Sequence, residues 1–359
     1  MISRHHLLGW QKLQPEVELV AIYDPDRNRA QARAAEFGIA HVFDDPAAML
    51  DGVAIDALDV VSPRETHAGW VLAAAGRGIA TLCQKPLTPT LAEAVELVRA
   101  VGTRCRLMVH ENWRFRAWYR EARRWIDEDA IGEVLLARMA NLSSSMLPDE
   151  QGVRRGLVRQ PFTAHEQRFV IAESLIHQID VVRYLCGPLR VVAARTHRSL
   201  PDIVGETFAA IFLETAAGHP VEVTGVNAAP GYPPRGGDRL EVIGSHASIW
   251  FGDGKLQLLG PERREAEFDV EAGYQHSFDA VIAHFVDCLR TGAPFETDPV
   301  DNLETLRLVE HAYLAAGQHL PNREWRERVA LPVSKASGGV RPGVDLNDNA
   351  SLFEVPEQP

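Results

Sequence analysis

Three short runs of β-branched and apolar residues, at 18–23, 57–61 and 79–83, alternate with helix-patterned stretches at 27–37, 66–75 and 89–101. That alternation predicts consecutive βαβ units, and so a parallel sheet with helices packed on its faces. In the third stretch Leu91, Ala94, Val95 and Val98 recur at helical spacing and give one apolar face. Gly38, Gly76 and Gly102 follow the three stretches and read as left-handed caps. From about Gly132 the period changes. Stretches 133–141, 191–197, 207–215, 221–227, 239–250 and 255–259 read as strands of one large, mostly antiparallel, open-faced sheet. Segments 162–185, 278–289 and 302–316 are expected to cover its other face.

The class is therefore α/β followed by α+β, with units expected at 1–118 and 119–332 and a tail at 333–359. A length of 359 residues suits two domains. The tail, rich in Gly, Pro, Ser, Asn and Asp, lacks periodicity and reads as extended or disordered. With 37 basic against 49 acidic residues the net charge is −12, which argues against nucleic acid or an anionic membrane as partner. No run of about 18 apolar residues and no signal-peptide pattern is present, so a cytoplasmic location is expected. Cys83, Cys105, Cys186 and Cys288 form no Cys-x-x-Cys pair and read as reduced thiols, and no histidine spacing suggests a metal site.

An open parallel sheet binds ligands beyond the carboxyl ends of its strands. Asp24 ends the first run, where a carboxylate can accept hydrogen bonds from a ribose diol and repel a 2′-phosphate, favouring NAD over NADP. Its alternative role is to open the Asp24-Pro-Asp26 turn and cap the next helix. Counting back 21 positions from Asp24 reaches Ser3, at the start of an amphipathic helix. If Ser3 fills the third small-residue slot of a G-x-G-x-x-[G/A/S] loop, both glycines and the first strand would lie upstream of Met1. The expectation is a Rossmann-type domain lacking its first strand, with two neighbouring strands left unpaired.

Val61-Ser-Pro-Arg-Glu-Thr-His67 follows the second run, and Cys83-Gln-Lys-Pro-Leu87 follows the third. Further on come His110-Glu-Asn-Trp-Arg-Phe115 and Glu173-Ser-Leu-Ile-His-Gln-Ile-Asp180. In this order and spacing they resemble the Gfo/Idh/MocA family of nicotinamide-dependent sugar and cyclitol oxidoreductases. Together with Trp118-Tyr-Arg-Glu121 and Arg159-Gln-Pro-Phe162, the set is most similar to the family's D-apiose dehydrogenase branch. Two positions depart from the family pattern: Gln84 stands for Glu before Lys-Pro, and Glu173-Ser-Leu175 stands for Asp-x-Gly.

Glu173, His177 and Asp180 stand at i, i+4 and i+7, one face of a helix, with Leu175, Ile176, Ile179 and Val182 on the opposite side. A solvated polar face is the bland reading of that spacing. The resemblance instead turns this helix toward a nicotinamide cleft. Oxidising an alcohol requires a base for the hydroxyl proton, and His177 suits that task because imidazole titrates near neutrality. Asp180 or Glu173 is the candidate to hold its ring, and Lys85 places a cation beside the developing alkoxide.

The resemblance implies that Met1, Ile2, Ser3, Asp24, Ser62, Pro63, Thr66, His67, Gln84, Lys85 and Asn112 meet the cofactor. Trp113, Arg114, Arg168, Glu173 and His177 are the substrate candidates, an aromatic face and forked donors suiting a sugar. The implied activity is NAD-dependent oxidation of a sugar or cyclitol hydroxyl, an aldose to its lactone, by a homo-oligomer. Two rivals are a redox-neutral glycoside-processing enzyme on the same fold and a non-catalytic sugar or cofactor sensor.

Overall fold

The computed structural model describes residues 2–318. The cofactor role expected of Met1, the tail at 333–359 and the end of the unit at 119–332 lie outside the described residues. The chain opens with α1 (Ile2–Gln11), β1 (Ala21–Tyr23), α2 (Arg27–Phe37), β2 (His41–Phe43), α3 (Pro46–Gly52) and β3 (Ala57–Val60). There follow α4 (Arg64–Ala75), β4 (Ala80–Gln84), α5 (Leu91–Val101) and β5 (Leu107–His110). β2, α3 and β5 add to the expected units; each is too short to show a period of its own.

β1 and β2 pair in parallel, and β3, β4 and β5 form a second parallel sheet. No ladder joins β1 to β3 among the described residues. Helix α1 spans the two pieces. Its Leu7 and Leu8 pack with Leu19, Ile22 and Val42 on the first piece, while the His6 and Trp10 rings reach Asp59 on β3 at 2.8 and 2.6 Å.

The helix ends follow local chemistry. Asp26 caps α2 by accepting from the Asn28 and Arg29 amides, and Gly38 closes it at φ 71°. Thr90 and Glu93 cap α5 reciprocally. One expected cap is corrected: Gly76 is right-handed at φ −62°, and the left-handed residue is Gly78, after one more turn.

The second unit comprises α6 (Ala117–Asp127), β6 (Val134–Leu142), α7 (Arg155–Arg159), a π-helical turn (Val170–Leu175) and α8 (Ile176–Cys186). Its remaining strands are β7 (Leu189–His197), β8 (Phe208–Thr215), β9 (Pro220–Val226), β10 (Gly237–Gly244), β11 (Ser248–Gly252), β12 (Lys255–Leu259) and β13 (Arg264–Glu267). They form one sheet of order β13-β12-β11-β10-β6-β9-β8-β7, antiparallel except for the β6–β9 pair. The stretch expected at 239–250 as one strand is two. The chain reverses beyond Gly244, where an added Cβ would lie 2.1 Å from the Ile131 carbonyl oxygen and only glycine fits.

Two helices complete the described chain, α9 (Val270–Thr291) and α10 (Pro299–Ala315). The expectation that 278–289 covers the large sheet is corrected. Val281, Ile282, Phe285 and Cys288 of α9 share a core with Trp10, Leu82 and Met108 of the first unit. Contact is close: a Cβ on Gly9 would meet Ile282 Cδ1 at 2.6 Å. The large sheet is covered as expected by segments 162–185 and 302–316: Val170, Leu175, Ile176 and Ile179 of the π-helical turn and α8, with Leu308 and Ala312 of α10, join Ile211, Val223 and Leu240 in the main core. Each such side chain contributes roughly 1.5–3 kcal/mol by leaving water. That core runs on without interruption into Val60, Cys83 and Val109 of the first unit. Among the described residues no helix is long and apolar enough to cross a membrane.

Candidate active site

The site lies where the turns after β3, β4 and β5 meet α8. Strand β5 is buried along its whole length and delivers Glu111, fully buried, directly beyond its carboxyl end. A 3₁₀ turn at Trp113–Phe115 then places Trp113 over the first turn of α8. His177 is held from two directions. Its Nδ1 lies 2.6 Å from Glu111 Oε1, and its ring stacks on Trp113 with centroids 3.9 Å apart and planes 12° from parallel. Its Nε2 has no hydrogen-bond partner among the described residues and is not sealed from solvent. Burial pushes the imidazole well below its usual pKa, with Lys85 and Arg116 adding to the effect. Burial likewise pushes the Glu111 carboxyl up, to about 7, against the Trp113 amide and the charges of Lys85, Arg114 and Arg116.

The partners of the helix triplet differ from the expectation. Asp180 accepts Arg114 Nε at 2.7 Å and Thr305 Oγ1 at 3.0 Å and makes no hydrogen bond to His177, so it anchors Arg114. Glu173 lies in the π-helical turn rather than on the regular helix, which breaks the i, i+4 alignment with His177. Its carboxylate pairs with Arg64 and stands 3.6 Å from Lys85 Nζ. The polar stripe of α8 is not a solvated face, because His177, Gln178 and Asp180 are all buried.

Lys85 donates from Nζ to the Glu173 carbonyl at 3.0 Å, which brings the cation to the base of α8. The turn that carries it is stitched in place. His67 contacts the Pro86 and Ser62 carbonyl oxygens, each at 2.9 Å, and so ties the turn after β4 to the turn after β3. His67 is buried and acts as that stitch rather than as a contact surface. Gln84 accepts the Lys85 amide at 2.7 Å and lies 3.0 Å from His6 Nε2. An amide donor there leaves the His6 proton on Nδ1, facing Asp59. Ser62 and Thr66 share a 2.6 Å hydrogen bond, and Pro63 is exposed beside them.

Three substrate candidates are redirected. Both faces of Trp113 are covered, one by His177 and the other by the Arg116 guanidinium 3.6 Å from the ring centroid, so neither is open to a sugar. Arg114 is 3% exposed and paired with Asp180 and Asp301. Arg168 pairs with Glu310 and lies over Tyr313. Asn112 donates to Ser277 Oγ at 2.7 Å.

Four residues with roles here escaped the sequence reading. Glu111 stood inside a quoted motif; a carboxylate directly after an apolar run was the available signal. Asp238 gave none, because the donors it accepts are distant in sequence: Trp113 Nε1, Arg116, Tyr119 OH, Asn141 and Gln178, at 2.7–3.3 Å. Arg64 and Glu166 pair across the two units, which no local pattern reveals.

Residues 1–111 match the family described as an oxidoreductase family with an NAD-binding Rossmann fold, and residues 119–250 match the GFO/IDH/MocA C-terminal domain. A D-apiose dehydrogenase of Paraburkholderia graminis is 32% identical over 94% of this chain and 92% of its own. The chain belongs to the Gfo/Idh/MocA family. The scyllo-inositol 2-dehydrogenase (NAD(+)) of Bacillus subtilis is 29% identical over 79% of this chain and 82% of its own. An oxidoreductase from Agrobacterium radiobacter, solved with NAD+, L-tartaric acid and magnesium, superposes with a TM-score of 0.81. It is 27% identical and covers 88% of this chain and 93% of its own. This Gfo/Idh/MocA chain is an enzyme, a nicotinamide-dependent dehydrogenase.

Two of the expected cofactor positions lie at a strand end and a helix start of the first unit. Asp24 is partly exposed at the carboxyl end of β1, with Oδ1 accepting the Asp26 amide at 2.8 Å, so its turn-forming and ribose-facing roles are compatible. Ile2 and Ser3 form the first turn of α1, which contains no acidic residue to oppose a phosphate.

Proposed function

We propose that this chain oxidises a ring hydroxyl of a small sugar or cyclitol with NAD as acceptor, the anomeric hydroxyl of a pentose such as D-apiose being the first candidate. The observation that carries this reading is the open Nε2 of His177, on a ring oriented by Glu111 and Trp113 and within electrostatic reach of the Lys85 ammonium. His177 Nε2 takes the hydroxyl proton. Lys85 stabilises the oxygen as it becomes negative, and Glu173, which neighbours Lys85, offers a carboxylate to an adjacent hydroxyl. Bound NAD would supply the hydride acceptor. Asp24 supports NAD over NADP because a carboxylate at the strand end repels a 2′-phosphate.

A second copy of the chain is the partner proposed for the outer face of the large sheet, where Phe212, Ile243 and Leu259 are exposed. The deciding experiment measures NAD reduction with D-apiose, D-xylose, D-glucose and myo-inositol. Lys85→Ala and His177→Ala are expected to lower kcat by about 10²–10⁴-fold. Unchanged rates in both variants would remove these roles, and turnover without net NAD reduction would place the chemistry in a redox-neutral class. Asp24→Ala is expected to narrow the preference for NAD over NADP; an unaltered ratio would remove that role.

A further inference from the structure

We propose that Glu111 is the positioning residue of the site: it fixes the tautomer of His177 and holds the charge balance when Nε2 becomes protonated. The inference rests on the proposed role of His177 as base. The motif spacing had pointed to Asp180 or Glu173 for this task, and both carboxylates are committed elsewhere, to Arg114 and to Arg64. Glu111 is left as the hydrogen-bond partner of Nδ1, at 2.6 Å.

The surroundings of Glu111 define what it can do. Its Oε1 accepts the Trp113 amide at 3.1 Å as well as facing Nδ1, whereas Oε2 is buried with no hydrogen-bond partner. A buried carboxylate with one oxygen unsatisfied is costly unless a cation or a shared proton compensates it. The imidazole next to it supplies either. With Nδ1–H donating to Oε1, the lone pair of Nε2 is directed outward, which is the tautomer a base requires. When Nε2 takes the proton of the substrate hydroxyl, the Nδ1 proton remains between the ring and Oε1. The pair then carries one added proton and the alkoxide one negative charge, so atoms and charge balance with no further co-reactant.

Charged and titratable groups face the pair from every element packed around it. Lys85 comes from the turn after β4, and Arg114 and Arg116 from the segment after β5; Asp180 shares α8, Asp238 comes from β10, and His110 ends β5. Lys85 and Arg116 disfavour the imidazolium, and Asp180 and Asp238 favour it. Among these groups, Glu111 alone forms a hydrogen bond to the ring. Trp113 completes the clamp, its indole N–H fixed by Asp238 at 2.9 Å while its face lies on the imidazole.

The test is a titration of His177 in the ligand-free protein, following its ring nitrogen and Cε1 proton resonances against pH in the parent, Glu111→Gln, Glu111→Asp and Asp180→Asn. In the parent above about pH 7, where Glu111 is ionised, the neutral ring is expected to carry its proton on Nδ1. In Glu111→Gln, the proton that the pair takes up as pH falls through about 7 is expected to be lost and the ring to stay neutral to lower pH, because an amide can neither accept that proton nor favour the imidazolium. Glu111→Asp should fall between the two, and its carboxylate keeps the question answerable if the glutamine variant does not fold. Asp180→Asn is expected to shift the midpoint less than Glu111→Gln.

In turnover with NAD and the best sugar of the panel, Glu111→Gln should lower kcat by roughly 10²-fold, leave KM for NAD unchanged and move the acid limb of kcat/KM to lower pH. Unchanged resonances and an unchanged acid limb in Glu111→Gln would overturn the proposal, as would a larger shift in Asp180→Asn. If no sugar is oxidised by the parent, it is the proposed function that fails, whereas the ring resonances still decide the pairing.

Discussion

On one side of the site His177 sits among groups withdrawn from water; on the other, the second wall, Lys85 sits in an ion-pair cluster whose members all keep part of their surface in solvent. Side-chain exposure is 0% for Glu111 and 2% for Asp238, against 13% for Lys85, 16% for Arg64 and 22% for Glu166. The first wall is built from one continuous chain of contacts, Asp238 to Trp113 to His177 to Glu111. The second joins two units of the fold through Arg64, which pairs with Glu166 and Glu173. Burial makes the first wall stiff and insensitive to salt; partial exposure makes the second adjustable and weakly held. On the proposed reading, the base is set in place by buried neighbours, while the cation beside it can be redirected as charges around it change.

The largest effect expected to break this contrast is at Asp238. Asp238→Asn keeps the shape but removes the charge that balances Arg116 and places an amide among five donors. A loss of about 3–5 kcal/mol in urea unfolding is expected, and a loss under 1 kcal/mol would show that the wall is not built around it. Next comes the pH dependence of stability at Glu111. Its folded pKa, about 7, lies above the usual carboxylate value of 4.5, so its favourable contribution is complete below about pH 4.5 and disappears as pH rises through 7. His177 has the opposite sign: its depressed folded pKa makes stability fall as pH drops below about 6.5. The two oppose one another in the same window. Replacing Glu111 by Gln should therefore uncover the His177 slope, and the parent should lose roughly 1–3 kcal/mol relative to the variant between pH 4.5 and 7. Parallel stability curves would deny the coupling.

Smaller effects belong to the ionic wall. Arg64→Ala frees both glutamates, letting Glu173 draw on Lys85 more strongly. We expect kcat/KM to fall by roughly 10-fold while unfolding free energy changes by less than about 1 kcal/mol; the reverse pattern would make Arg64 a structural strut. Salt gives the mildest test. Raising KCl from about 0.05 to about 0.5 M should alter kcat/KM about twofold and leave the His177 midpoint nearly fixed. An equal response in both would erase the distinction between the walls.

How far the sequence foretells this arrangement depends on the range over which each contact acts. Helices at 27–37 and 91–101 are legible because their capping residues, Asp26, Gly38, Thr90 and Glu93, act within a turn. The strands of the large sheet are legible through alternation, except where a close approach at Gly244 divides one of them. The positions of Lys85 and His177 follow from motif order, but their partners do not. Asp180 looks like a natural companion of His177 when only helical spacing is considered. Its bond to Arg114 and that of His177 to Glu111 both join segments more than 60 residues apart. The π-helical turn that removes Glu173 from the helix face is likewise invisible to a period of 3.6, since it alters the period itself.

The packing of α9 on α1 bears on how this protein can be recombined with its relatives. A chimera exchanged at residue 118 would transplant α1 and its two sheet pieces while retaining the host's α9, setting a foreign Ile282 equivalent against Gly9 and exposing mismatched surface around Trp10 and Met108. The natural module is discontinuous. It consists of residues 2–118 together with 270–298, and a crossover scheme that moves both segments preserves the seam between α1 and α9.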